Sequence, residues 1–84
     1  MPQFMDYHAK LPDLPAEAVQ QVKQAIEAGA ANEFGAKPVN IYFGTEGQAC
    51  CITDAPNAEA VVKSHEAQGI PLSVDEVIEV TSVA

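Results

Sequence analysis

The order of its segments constrains this chain most. Short runs rich in β-branched and aromatic residues alternate with stretches of helical period, in the order β, α, β, β, α, β. Gln3 to His8, after Met1-Pro2, reads as a first strand. Lys10 to Pro15 is a loop punctuated by Pro12 and Pro15. Pro15 and Glu17 suit the first turn of a helix, where a missing N–H costs nothing and negative charge meets the dipole. Val19, Val22, Ile26 and Ala30 then recur at helical spacing, and Gly35 is the expected stop. Val39 to Gly44 and Gln48 to Thr53 read as two strands joined by the tight connection Gly44-Thr45-Glu46-Gly47. Asn57 is the expected N-cap of a helix over Ala58 to Gln68, which Gly69 and Pro71 end. Val74 to Val83 is the expected last strand.

Each strand–helix–strand crossover is right-handed. Two interleaved units of that hand give a four-stranded antiparallel sheet in the order 4-1-3-2, with both helices on one face. The expected class is therefore α+β, ferredoxin-like, as one domain over residues 1–84. At this size folding hides roughly 60% of the chain's surface, so a metal or a partner chain is a natural supplement. The bare face of such a sheet is a natural surface for homodimer formation.

Charge and cysteine usage exclude several classes. Twelve acidic residues face four basic ones, all lysine, which argues against nucleic acid as a partner. The two cysteines, Cys50 and Cys51, are adjacent, so free thiols in a reducing compartment are expected rather than a disulfide framework. No run approaches the roughly 20 apolar residues of a membrane span, and a secretory leader is not expected. The expected location is the cytoplasm.

Alternation splits each strand between two faces. Val39, Ile41 and Phe43 are expected beneath the helices, leaving Asn40 and Tyr42 on the open side. Cys50 and Ile52 are placed inside, leaving Ala49, Cys51 and Thr53 open. Ile78 and Val80 are placed inside, leaving Val77, Glu79 and Thr81 open. For the first strand, Met5 and Tyr7 inside with Phe4, Asp6 and His8 outside avoids burying a carboxylate. The expected open face thus carries Asp6, His8, Cys51 and Glu79, the donor types used by a borderline divalent metal, beside Phe4, Asn40, Tyr42 and Val77 as pocket or dimer contacts. Adjacent strand residues point to opposite faces, so Cys50 is read as a small buried hydrophobe.

His65 stands apart, on the apolar stripe of the second helix with Ala58, Val61 and Val62. His65-Glu66 is not a zincin motif, because Gly69 occupies the position of the second histidine. The first loop, Ala9-Lys10-Leu11-Pro12, lacks the CxxC of the copper-carrying domains that share this topology.

The segments Met1 to His8, Cys51 through Pro56 and Glu59-Ala60-Val61 to His65-Glu66, Gly69 and Pro71, and Val77 to Val80 together resemble a family of small bacterial ferredoxin-like, nickel-binding proteins. The resemblance covers essentially the whole chain, through short motifs. It implies a dimer that binds nickel and takes part in nickel response, with His8, Cys51 and His65 as the carried-over ligand positions and Asp6 and Glu79 beside them. Leu14-Pro15 departs from the threonine cap common in that family. The leading expectation is thus a non-catalytic binder of nickel, or of another divalent metal such as zinc. The alternative is a dimeric α+β barrel enzyme or small-molecule binder, with His8, Tyr42 and Asp6 as acid–base groups between two open faces. A third reading is an interaction module whose open face only dimerises.

Overall fold

The computed structural model describes residues 1–11 and 14–83. The Pro12-Asp13 part of the expected first loop lies outside the described residues. Strand β1 (Gln3–His8) leads to helix α1 (Ala16–Ala28), then strands β2 (Lys37–Phe43) and β3 (Ala49–Asp54), helix α2 (Ala58–Glu66) and strand β4 (Val77–Val80). The sheet runs β2-β3-β1-β4 with antiparallel pairing throughout, and both helices pack on one face. This is the expected ferredoxin-like topology.

Two elements, α1 and β4, differ from expectation by more than two residues at an end. α1 stops at Gly29 rather than near Gly35. Gly29 is left-handed (φ 64°), and its N–H reaches the Ala25 and Ile26 carbonyls. Gly35 is also left-handed but closes the turn before β2, where its N–H reaches the Asn32 carbonyl. β4 is shorter than the expected Val74–Val83, because Val74–Glu76 forms a single 3-10 turn. Its capping box holds it: the Ser73 hydroxyl accepts from Asp75 N–H, and the Glu76 carboxylate accepts from Ser73 N–H.

The larger correction concerns which way three strands face. In β1, Phe4, Asp6 and His8 are buried beneath the helices, while Tyr7 is exposed on the open side and Met5 half-buried. In β3, Ala49, Cys51 and Thr53 are buried, and Cys50 and Ile52 are half-buried on the open side. The β1–β4 register sets Val77 beside Asp6 and Glu79 beside Phe4, which places Ile78 and Val80 with Met5 and Gln3 on the open face. Only β2 has the expected parity, with Ile41 opposite Cys51 and Tyr42 opposite Cys50, but Phe43, expected beneath the helices, is exposed past the end of their cover. A β-bulge between Pro38 and Asn40 interrupts the alternation at Val39.

The core explains the choice. Ala36, Ala55, Ala60, Val61 and Leu72 gather around Phe4, with Phe34, Ala58, Val62 and Val77 packed against them. Small side chains fill this layer, since Ala36, Ala49, Ala55 and Ala60 are all buried, and the bulkier Ile52 is left on the other face. Cys50 is accordingly not the buried hydrophobe of the sequence reading. Phe4 and Val77 belong to the helix-covered core and not to an open-face contact surface.

The sheet is open, with β2 and β4 as its edges. That overturns the dimeric α+β barrel. Its acid–base set also comes apart: Asp6 and His8 lie on the opposite side of the sheet from Tyr42. No helix among the described residues is long and apolar enough to cross a membrane.

Candidate metal centre

Three neighbouring backbone positions build the floor of the site. Asp6 is directly opposite Cys51 in the β1–β3 ladder, so their side chains share a face. His8 lies two residues along the same strand and therefore points the same way. The roof is α2. Asn57 starts this helix by accepting from Ala60 N–H at 2.9 Å, which is the expected cap. Gln68 N–H and Ile70 N–H both donate to the His65 carbonyl, at 3.0 and 2.9 Å, and pin the helix end at that residue. One turn earlier Val61 is fully buried, so the stripe containing His65 faces the sheet.

The four side chains converge. One donor atom each from Asp6, His8, Cys51 and His65 lies within 4.8 Å of the other three. A coordination sphere with metal–ligand bonds of ~2.0–2.3 Å is about 4–4.6 Å across, so the group closes on one ion with small adjustments. His8 Nε2 and His65 Nε2 lie 2.5 and 3.1 Å from Asp6 Oδ2. The two imidazole rings are 5.2 Å apart, tilted by 32°.

These distances are those of ion pairs. Asp6 Oδ1, Asp6 Oδ2 and His8 Nε2 are all buried without an aligned hydrogen-bond partner. A buried carboxylate left in that condition costs several kcal/mol. A cation among these mutually close donor atoms would satisfy them. The residues present therefore fit a divalent metal.

His65 carries a second feature of a ligand. Its Nδ1–H donates to the Val61 carbonyl at 2.8 Å. In the neutral ring that bond assigns the proton to Nδ1 and leaves the Nε2 lone pair facing the cluster, the arrangement in which ligating histidines are usually held.

The environment shifts both Cys51 and His65. Burial pushes the Cys51 thiol up to about 12, and the nearby Asp6 charge adds to the effect. For His65 burial acts downward, but the contact with Asp6 and the bond to Val61 outweigh it and raise the imidazole above its ordinary value. Both groups thus hold their protons at neutral pH more firmly than free side chains do.

Glu79 does not join the cluster. It lies opposite Phe4, two ladder positions from Cys51's partner, and is exposed. Asn40 and Tyr42 are exposed on the far side of the sheet. Sequence reasoning had grouped Asp6, His8 and Cys51, and set His65 apart on the helix side; the helix side is where all four meet.

A ferredoxin-like sheet with a buried carboxylate, two imidazoles and a thiol gathered under its second helix defines a small protein with a candidate metal site, its donors suited to nickel or a similar divalent ion. The profile of the nickel responsive protein SCO4226-like family matches residues 4–80, and the chain belongs to that family. It is also similar to the crystal structure of SCO4226 from Streptomyces coelicolor A3(2), with 28% identity and a TM-score of 0.69 over 98% of this chain and 99% of that one. No curated protein matches the chain. Membership in a nickel-responsive family supports a non-enzymatic role.

Proposed function

We propose that this chain binds one divalent transition metal, nickel foremost, through Asp6, His8, Cys51 and His65, and that it sequesters the ion or reports its level. The observation that carries the reading is the buried Asp6 carboxylate, unmatched by aligned donors and faced by two imidazoles and a thiol. Asp6 supplies the charge, His8 and His65 the neutral nitrogen donors, and Cys51 a sulfur that favours nickel or zinc over magnesium and calcium. Glu79 stays a surface carboxylate in this reading. Two free thiols suit a reducing compartment, and the acidic surface leaves nucleic acid out.

Calorimetric titration of metal-free protein with nickel tests the proposal. Wild type is expected to bind one ion per chain, and a His8→Ala, Cys51→Ala double variant to bind at least about 100-fold more weakly. Equal, weak binding by both proteins would end it.

The open face supports a homodimer. Tyr7, Cys50 and Tyr42 form one row across three strands, and Ile78, Met5 and Ile52 form the next. Tyr7, Tyr42 and Ile78 are each more than half exposed. A contiguous apolar patch on a small chain is characteristic of a protein contact surface. The contacts in this reading are these residues rather than Phe4 and Val77. A Tyr42→Asp, Ile78→Asp variant is expected to fall from the mass of two chains to that of one in light scattering, with its circular dichroism unchanged. A wild-type protein that is already monomeric would refute the pairing.

A further inference from the structure

The cluster is closed to solvent on most sides. The side chain of Asp6 is 0% exposed, that of His8 8% and that of His65 12%. Cys51 is buried as well. An ion that reaches these donors needs a route through the protein surface.

A recess of about 480 Å³ opens between the end of β1 and the loop after α2. His8 is among its lining residues, with Ala9, Lys10, Leu11, Ile70 and Glu76, and it is the one cluster residue that lines it. A second recess, around Pro56 and Lys63, touches none of the four cluster residues. At ~30 Å³ for each water, a dication with six waters needs roughly 200 Å³, so the first recess admits one with its hydration shell. Both of its walls are anchored by backbone bonds. Leu11 N–H donates to the Gly47 carbonyl at 2.9 Å, and Ile70 N–H to that of His65 at 2.9 Å. Glu76 is held at the rim through its bond from Ser73 N–H.

We infer that this recess is the passage by which the metal enters and leaves the cluster, with His8 as the ligand at its inner end. The inference rests on the metal-binding reading above and adds the direction of approach. The Glu76 carboxylate attracts an incoming dication at the rim, while Lys10 opposes it. The Leu11 and Ile70 side chains offer no donors, so the His8 imidazole is the first cluster donor the ion meets. Asp6, His65 and Cys51 lie behind His8 and are reached after it. The recess governs rates, and the four donors govern affinity.

Stopped-flow measurement of nickel association, with chelator-driven release, tests this on the full chain. Ala9 is exposed, so an Ala9→Trp variant fills the passage without disturbing the core. Association and release are both expected to slow by about tenfold, at unchanged equilibrium affinity. A Lys10→Glu variant reverses the opposing charge and is expected to associate about threefold or more faster, with the gain shrinking as salt rises. Unchanged rates in Ala9→Trp, or a lowered affinity with the wild-type association rate, would overturn the passage. So would a Lys10→Glu variant with wild-type association. Absence of nickel binding by wild type in the equilibrium titration is a different failure, that of the site itself.

Discussion

Replacing Asp6 with asparagine is expected to erase the stabilisation of this protein by nickel while leaving the metal-free protein at least as stable as wild type. The two halves of this result have one cause. Asp6 is the only carboxylate among the four converging donors, and its oxygens are buried without aligned donors. Without metal, the carboxylate is therefore a cost that two nearby imidazoles only partly offset, and a neutral amide of the same shape costs less. With metal, the same carboxylate supplies the formal charge, and its loss is expected to weaken binding by more than about 100-fold. Nickel at 100 times its dissociation constant adds about 2.7 kcal/mol to wild-type stability. At about 4–8 °C per kcal/mol for a chain of this size, that is a rise in Tm of roughly 10–20 °C. Thermal unfolding at about pH 8.5, where an ordinary imidazole is neutral, reads both halves with and without nickel. A variant that keeps the nickel shift, or loses several kcal/mol without metal, would remove Asp6 from the proposed role.

The element order was legible in the sequence, and so was the convergence of Asp6, His8 and Cys51, for reasons that do not depend on which face is covered; Glu79 was grouped with them but lies apart, and His65 was set apart but lies among them. Helical spacing, two prolines near the first loop, Asn57 and the Gly44–Gly47 connection are local signals, and they suffice to set the topology. Alternation and antiparallel register then bring Asp6, His8 and Cys51 together whichever way β1 and β3 turn. The direction of turning was not legible, because both strands carry apolar side chains at both parities. Phe4 competes with Met5 and Tyr7, and Ala49 and Thr53 compete with Cys50 and Ile52. A preference for large apolar residues inside and carboxylates outside pointed the wrong way. The structure instead buries alanines on the helix side and leaves Met5, Tyr7, Ile52 and Ile78 on the open face. His65 held the missing clue. A histidine on the sheet-facing stripe of α2 needs polar groups opposite it, and only the other parity of β1 supplies them. The misplaced end of α1 has a simpler origin, since Gly29 and Gly35 both suit a left-handed cap and the nearer one took it.

The same buried environment gives opposite pH dependences to the metal-free and metal-bound protein. In the metal-free chain both shifted groups are raised, His65 above its ordinary 6.5 and Cys51 from 9.0 to about 12. A group whose pKa is raised by folding stabilises the fold below its unfolded value, and that contribution is lost as pH rises through the folded value. The share from His65 is thus fully present below 6.5 and is lost above it, and that from Cys51 is lost above 9.0. These two groups therefore make metal-free stability fall as pH rises. Metal binding must displace the same protons. The Cys51 proton is released for each nickel bound, and that of His65 as well where its imidazole is still charged, so affinity is expected to rise with pH by about tenfold per unit for each proton displaced. Above the raised pKa of His65 only the Cys51 proton remains, and the rise drops to about tenfold per unit. Calorimetry in two buffers of different ionisation enthalpy counts these protons directly. A Cys51→Ser variant is expected to bind more weakly and to release about one proton fewer, because a hydroxyl stays protonated where a metal-bound thiol does not. Nickel affinity that is flat across neutral pH, or a proton count that Cys51→Ser leaves unchanged, would show that the thiol is not a ligand and that the ion is held by Asp6 and the two histidines alone.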